Sequence, residues 1–138
     1  MFKIDIIPYT LKFKRPAGTS RGVYTDHKVW HIFIKNKADS SKLGIGECAP
    51  LKDLSSEYNE EFENHLKKFC KIVEEKQSID VSALRDFPSI LFGLETAMRQ
   101  YNRQSWQLWD SPFSRGEEGI LINGLIWMGD FSMMKQSA

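Results

Sequence analysis

The sequence predicts an α+β fold in which a three-stranded antiparallel meander is followed by a helical bundle. Up to Cys48, runs of β-forming residues alternate between apolar and polar, which is typical of strands with a covered face. From Tyr58 to about Gln104, apolar residues recur every three or four positions, as on helices. Residues 43–51, which contain two glycines and a proline, separate the two halves.

Three strands are predicted before this separating segment. In the first, the alternation changes phase at Ile7 and Pro8, which favours a bulge or an edge position. The second is apolar on both faces, so both are at least partly covered. The short connection between the second and third strands favours an antiparallel meander. In order, the predicted segments are a strand at 2–13, a polar loop at 14–22, a strand at 23–35, a connection at 36–41 and a strand at 42–48.

The separating segment has the sequence Leu-Gly-Ile-Gly-Glu-Cys-Ala-Pro-Leu. Gly44 and Gly46 either relax the backbone or let another element approach closely, and Pro50 has no N–H for a strand ladder. Glu47 lies where the strand should end. We interpret the segment as a strand that turns into a loop, with Glu47 as an anchor of that loop.

Two helices are predicted after the loop. Ser55 and Ser56, followed by acidic residues, are typical of a capped helix start, and one apolar stripe then continues to Val73. The second helix begins near Pro88 and is apolar on nearly all sides, which predicts burial. Gly93 in its interior predicts close packing against another element. The stripe of the first helix consists of Tyr58, Phe62, Leu66, Phe69 and Val73.

The last part of the chain changes character. Residues 120–127 form an almost unbroken apolar run, which is typical of a strand covered on both faces, as in a parallel sheet or barrel. A parallel strand needs a neighbour and a crossover of a dozen or more residues, which the remaining sequence does not provide. We therefore predict two domains, at 1–104 and 105–138, the second incomplete.

Composition excludes several classes of function. With 138 residues, 41% of them hydrophobic and a net charge of +1, the chain has no bulk field that favours nucleic acid or an anionic membrane. No apolar run approaches the ~20 residues needed to cross a bilayer. The first residues do not resemble a secretory signal. Cys48 and Cys70 lack metal or redox spacing and are interpreted as reduced thiols, which favours a cytoplasmic protein.

No complete catalytic constellation is visible in the sequence. His27 and His31 would lie about 13 Å apart along a strand and have no carboxylate or thiol beside them, so no metal site is predicted. The polar loop at 14–22 carries Arg15, Thr19, Ser20 and Arg21. Guanidinium groups recognise carboxylates bidentately, so this loop either binds an acidic small molecule or is an ordinary solvated loop.

These features together resemble the N-terminal capping domain of the enolase superfamily, in its muconate lactonizing branch. The similarity rests on the order of elements, on Gly-Ile-Gly-Glu-Cys-Ala-Pro-Leu, and on the Pro-Ser-Ile-Leu-Phe-Gly-Leu-Glu-Thr-Ala helix. Within that branch, Pro-Ala-Gly-Thr-Ser-Arg-Gly-Val at 16–23 and Asn-Gly-Leu-Ile-Trp-Met-Gly at 123–129 are most similar to the o-succinylbenzoate synthase family of menaquinone biosynthesis. Residues 120–127 then correspond to the first strand of the family's barrel.

The resemblance implies a lyase that dehydrates a small carboxylate substrate through an enediolate, using lysines and Mg²⁺ held in the barrel. This chain would have no catalytic residue and no metal ligand, and its partner would be the missing barrel. Dipeptide epimerases and muconate cycloisomerases share the scaffold, and a non-catalytic fragment that self-associates through its exposed barrel-facing surface is a further alternative. By the resemblance, the residues that face the substrate are Thr19, Ser20 and Arg21 in one loop and Ala49 and Leu51 in another.

Overall fold

The computed structural model describes residues 1–123 and Lys135, and within them three strands are followed by two helices. The chain divides into two compact units, one formed by Met1–Leu11 with His27–Leu108, the other by Lys12–Asp26 with the described residues from Trp109 onward. The elements are β1 (Phe2–Thr19), β2 (Gly22–Asn36), β3 (Leu43–Cys48), α1 (Phe62–Lys76) and α2 (Pro88–Arg103).

The strands form one sheet in the order β1-β2-β3, and the predicted meander is confirmed. A two-residue turn joins β1 to β2, which requires an antiparallel pair. β2 and β3 are antiparallel, with a register that runs from Trp30 opposite Cys48 to Lys35 opposite Leu43. Asn36 stabilises the second connection because its Oδ1 accepts the backbone N–H groups of the following turn.

The first two strands are longer than predicted. β1 continues to Thr19, so most of the expected loop at 14–22 is strand, and the connection is reduced to Ser20 and Arg21. Proline and glycine in the sequence pointed to a loop. Because β1 lies at the edge of the sheet, Pro8 and Pro16 can occupy it without removing a ladder hydrogen bond.

The first helix starts later than predicted. α1 begins at Phe62, and residues 51–61 form turns. Ser55 has the sequence of a helix cap, but its Oγ accepts the N–H of Leu51, 2.9 Å away, and closes a turn instead. The apolar stripe itself is confirmed, since Phe62, Leu66 and Val73 are buried.

The core lies between one face of the sheet and the two helices. β2 contributes Trp30, Ile32 and Ile34, all at most 3% exposed. The Trp30 ring lies 4.6 Å from that of Phe62 on α1, and the Phe2 ring is 5.6 Å from that of Tyr101 on α2. These contacts fix both helices against the sheet.

α2 packs unusually close to β3. A Cβ added at Gly44 would collide with the Ala97 carbonyl oxygen, and one at Gly46 would collide with that of Gly93. In the reverse direction, a Cβ at Gly93 would stand 2.6 Å from the Cys48 Sγ. The predicted close packing at Gly93 is confirmed, and of the two roles open for Gly44 and Gly46 the structure supports close approach.

Side chains of the two helices, and of Gln77 directly after α1, hydrogen-bond to backbone groups at both edges of the sheet. On β3, the Ile45 N–H donates to the Oε1 of Gln100, 2.7 Å away. On β1, the Phe2 N–H donates to Gln77 at 2.8 Å and the Ile4 N–H to Glu74 at 3.0 Å. Edges covered in this way are protected against pairing with other chains.

Two further expectations differ from the structure. α2 is not buried on all sides, because Phe92 is 61% exposed on its outer face. Residues 120–123, the described part of the predicted barrel strand, have no regular secondary structure, and Leu121 is fully exposed. A strand needs a partner for its ladder, and no described strand pairs with these residues. The rest of the predicted strand, 124–127, lies outside the described residues.

Candidate functional site

The hairpin turn holds three of the five predicted site residues. Thr19 ends β1, Ser20 and Arg21 form the turn, and all three are exposed. The Thr19 hydroxyl donates to the Gly22 carbonyl and accepts the Arg21 N–H, each at 3.1 Å. Gly22 has a φ of 147°, which side-chain-bearing residues rarely adopt. These local contacts fix the turn and leave the Ser20 and Arg21 side chains at its surface.

The Arg21 guanidinium is suited to anion recognition. Within the described ranges, 1–123 and 135, it forms no ion pair with a carboxylate. A guanidinium presents paired N–H donors that match the two oxygens of a carboxylate. The turn therefore presents a group that can pair with the carboxylate of a small acid.

The loop after β3 holds the other two predicted residues, Ala49 and Leu51. Pro50 between them is buried, and its carbonyl oxygen lies 3.2 Å from the Nε2 of His27. Because a carbonyl only accepts, His27 carries a proton on Nε2 in this contact. Two hydrogen bonds of 2.9 Å join Leu51 to Ser55: the Leu51 N–H donates to the Ser55 Oγ, and the Ser55 N–H donates to the Leu51 carbonyl oxygen.

This loop has a fixed backbone and an apolar surface. Leu51 is 46% exposed and Leu54 is 55% exposed, although both belong to a hydrogen-bonded turn. Asp53 between them adopts a φ of 62°, a left-handed conformation. Apolar side chains held at a protein surface are typical of a contact with another molecule or another domain.

The predicted site residues fall into two groups, one in each compact unit. Thr19, Ser20 and Arg21 share the hairpin turn of one compact unit, and Ala49 and Leu51 share the loop of the other. Their contact with a substrate stays a prediction.

The Glu47 carboxylate is hydrogen-bonded to β2 and not, among the described residues, to the loop that it was expected to anchor. It lies on β3 directly opposite His31 of β2, and its carboxylate is 3.2 Å from the His31 Nε2. Both side chains are partly exposed. Glu47 therefore supports the register of the sheet, and Pro50 and Ser55 hold the loop.

Sequence reasoning missed an open cleft of about 640 Å³ beside the loop. Glu63 lies at its edge and accepts hydrogen bonds from Lys67 at 2.7 Å and from the Trp30 indole at 3.2 Å. These two donors, the first above all, lower the pKa of Glu63 from its ordinary value. Lys28 lies 4.8 Å from the centre of the Trp30 ring. The cleft is lined by Lys28, Trp30, Lys52, Asp53, Leu54, Ser55, Ser56, Tyr58, Asn59, Glu60 and Glu63.

The sequence offered no strong signal for this cleft. Lys28 and Glu63 lie 35 positions apart in two elements of ordinary composition, and only the folded chain brings them within 3.6 Å. The charges of Lys28 and Glu63 compensate each other at this point of the cleft.

The described residues do not fit a bound Mg²⁺. A magnesium ion needs several oxygen ligands in octahedral geometry. In the part of the chain that the structure describes, no three His, Cys, Asp or Glu side chains cluster in a way that could hold a metal.

The fold is that of an enolase-superfamily N-terminal domain. The family model "MenC, N-terminal domain" matches residues 27–101, more than half of the chain, and the protein belongs to this family. The o-succinylbenzoate synthase of Desulfotalea psychrophila (strain LSv54 / DSM 12343) is 31% identical over an alignment 160 positions long, which covers 91% of this chain. This chain spans 42% of the length of that relative.

Solved structures of the superfamily share the fold. An enolase family member from Agrobacterium tumefaciens, with homology to dipeptide epimerases, matches 99% of this chain and 41% of its own, with a TM-score of 0.64 and 14% identity. The o-succinylbenzoate synthase from Thermosynechococcus elongatus BP-1, solved with Mg in its active site, matches 71% of this chain and 29% of its own, at TM-score 0.51 and 20% identity.

A mandelate racemase/muconate lactonizing protein from Herpetosiphon aurantiacus also shares the fold. It matches 73% of this chain and 30% of its own, at TM-score 0.52 and 17% identity. Identities this low establish architecture only. Among the described residues, no helix is both long and apolar enough to span a membrane.

Proposed function

We propose that this chain is the substrate-capping domain of an o-succinylbenzoate synthase-like lyase of menaquinone biosynthesis. The observation that carries the proposal is the family match over residues 27–101, which includes β3 and the loop after it. The 31% identity to a synthase supports the same substrate class. In this proposal the chain is inactive alone, and proton transfer and Mg²⁺ binding belong to a barrel domain. We place the protein in the cytoplasm, consistent with two free, buried thiols.

The two loops would act on the substrate by recognition. Arg21 would pair with a substrate carboxylate, and Thr19 and Ser20 would shape the surface around it. Ala49 and Leu51 would cover an apolar part of the substrate and exclude water from the reacting centre. Neither loop would transfer a proton. Removing one of these contacts should therefore weaken substrate binding more than it slows turnover.

A chimeric enzyme tests this proposal. Residues 1–104 of this chain, our proposed domain, replace the corresponding part of the D. psychrophila synthase, and formation of o-succinylbenzoate is measured with Mg²⁺ present. We expect activity, and in Arg21→Gln we expect KM to rise about tenfold or more with a smaller change in kcat. Arg85→Gln, at another exposed arginine, is the matched control and should leave both constants unchanged.

Two results would contradict the proposal. One is a chimera that is no more active than the barrel alone. The other is a chimera that epimerises a dipeptide or cycloisomerises muconate faster than it forms o-succinylbenzoate, which would assign the domain to a different branch of the superfamily. Mg²⁺-dependent dehydration by the purified 138-residue chain would overturn only the statement that the chain is inactive alone.

A second candidate function is self-association without catalysis. It is favoured by three consecutive apolar residues, Ile120, Leu121 and Ile122, which are 61% or more exposed. Sedimentation at increasing concentration should then show a dimer that Leu121→Lys weakens. A chain that stays monomeric at high concentration would exclude this function.

A further inference from the structure

Glu57 is a buried carboxylate that lies in the turns between β3 and α1. Its residue is only 5% exposed, and its Oε1 accepts the backbone N–H of Ser89 at 2.9 Å, 32 positions along the chain. Its Oε2 is buried and forms no hydrogen bond with any described residue. Burying a carboxylate costs free energy unless its oxygens accept hydrogen bonds, so the placement of Glu57 calls for a reason other than stability alone.

The contact is made at a helix end that has no cap of its own. α2 begins at Pro88, which has no N–H, and its N-cap residue, Phe87, makes no side-chain cap hydrogen bond. Ser89 therefore carries the first free N–H of the helix. The positive end of the helix dipole favours a carboxylate at this point. Glu57 thus caps α2 from a distant segment.

This remote cap ties the loop after β3 to α2, whose close approach to β3 is described above. The loop is held at one end by the buried Pro50 and in its middle by the turn between Leu51 and Ser55. Tyr58 continues the chain of turns, since its N–H donates to the Ser55 carbonyl at 3.0 Å. Glu57 fixes the far end to α2, which is itself packed against β3.

We infer that Glu57 is a positioning residue that sets the conformation of the loop carrying Leu51, by capping the first free N–H of α2. The residue touches no substrate and acts through the loop backbone. The consequence for substrate recognition rests on the proposed function, but the position of the loop does not. An experiment on the loop alone therefore separates failure of this inference from failure of the proposed function.

Amide hydrogen exchange of the 138-residue chain, followed residue by residue by NMR, tests the inference. In Glu57→Ala, we expect the amides of Ser55, Tyr58 and Ser89 to exchange about tenfold faster, while those in the middle of α1 change less than about twofold. Glu57→Gln keeps an oxygen that can accept the Ser89 N–H, and we expect it to restore most of the protection. Glu60→Ala, at an exposed acid of the same segment, is the control and should leave all these rates unchanged.

Three outcomes would overturn the inference. The first is an equal increase in exchange at every amide of Glu57→Ala, which indicates a purely structural role. The second is an unchanged exchange rate at Ser89. The third is faster exchange at Ser89 while the loop amides keep their rates. If Glu57→Ala does not fold, Glu57→Gln decides. In Glu57→Gln, the amides of the loop and of Ser89 should exchange at rates near those of the original chain. They should also exchange more slowly than in the double variant Glu57→Gln with Ser55→Ala. Faster exchange at every amide, or loss of the protection at Ser89, contradicts the inference.

Discussion

Gly46→Ala tests whether the close approach of α2 to β3 is rigid. The added Cβ would collide with the Gly93 carbonyl oxygen, stand 2.8 Å from the Gly93 carbonyl carbon and 3.1 Å from the Ala97 nitrogen. All three atoms belong to the backbone of a helix, so no side chain can rotate away. Either α2 moves outward or the strand bends, and both disturb the core.

The size of the effect follows from two opposing contributions. Replacing glycine restricts the unfolded chain and stabilises the fold by about 0.4–1 kcal/mol. Overpacking a tight core costs about 1–3 kcal/mol, and backbone obstruction places this site at the upper end. The net expectation is a loss of roughly 2 kcal/mol from a total stability of about 5–15 kcal/mol for an ordinary domain.

Urea denaturation followed by circular dichroism at the helical band measures this loss. Gly18→Ala is the matched control, because a Cβ at Gly18 has no heavy atom within 4 Å. Its free energy of unfolding should stay equal or rise by up to about 1 kcal/mol. If Gly46→Ala unfolds within about 0.5 kcal/mol of the original chain, the interface between α2 and β3 adapts easily and the reasoning from close packing is refuted.

Two other predictions concern titratable groups. Cys48 and Cys70 are buried, and burial raises the pKa of Cys70 to about 12 and that of Cys48 still further. A disulfide reagent should therefore label both thiols only as unfolding exposes them. Rapid labelling of either thiol in the native state would contradict this. The pKa of Glu63 is lowered chiefly by Lys67, so Lys67→Met should raise it in a carboxyl NMR titration, and an unchanged value would refute that cause. Because the folded-state pKa is depressed, the stabilisation is present above the unfolded value, near 4.5, and is lost as the pH falls through the folded value.

The elements that depend on local periodicity could be predicted from the sequence. The alternation up to Cys48 defined the three strands, and the spacing of Phe62, Leu66 and Val73 defined the buried face of α1. Gly93 in a helix predicted close packing because a glycine there is costly unless space requires it. In each case the signal lies within one element and its cause is the burial of one face.

The predicted ends of β1 and α1 were wrong because a residue typical of a loop or of a helix cap plays a different part in the fold. Pro16 marks a loop in most contexts, but on an edge strand its missing N–H costs no ladder bond. Ser55 resembles a helix cap, yet its hydroxyl closes a turn with Leu51. Sequence alone cannot distinguish these uses, because the choice depends on which strand is at the edge and on where the loop is held.

The candidate site was less accessible to sequence reasoning than the fold. Thr19, Ser20, Arg21, Ala49 and Leu51 were selected by family resemblance, since no spacing among them defines a chemical constellation. The contact between Glu57 and Ser89 had no sequence signal at all: in an acid-rich segment, one glutamate turns inward while its neighbours stay exposed. Long-range pairs of this kind follow from the packing of α2 and not from periodicity.

The two candidate substrate-facing elements differ in how their conformation is maintained. The hairpin turn is held by local hydrogen bonds of Thr19 with Gly22 and Arg21. The loop that carries Leu51 is held by distant partners, since His27 contacts its proline and Glu57 reaches α2. Substitutions that displace α2 should therefore alter the second loop through the core, whereas the turn should respond only to changes within itself.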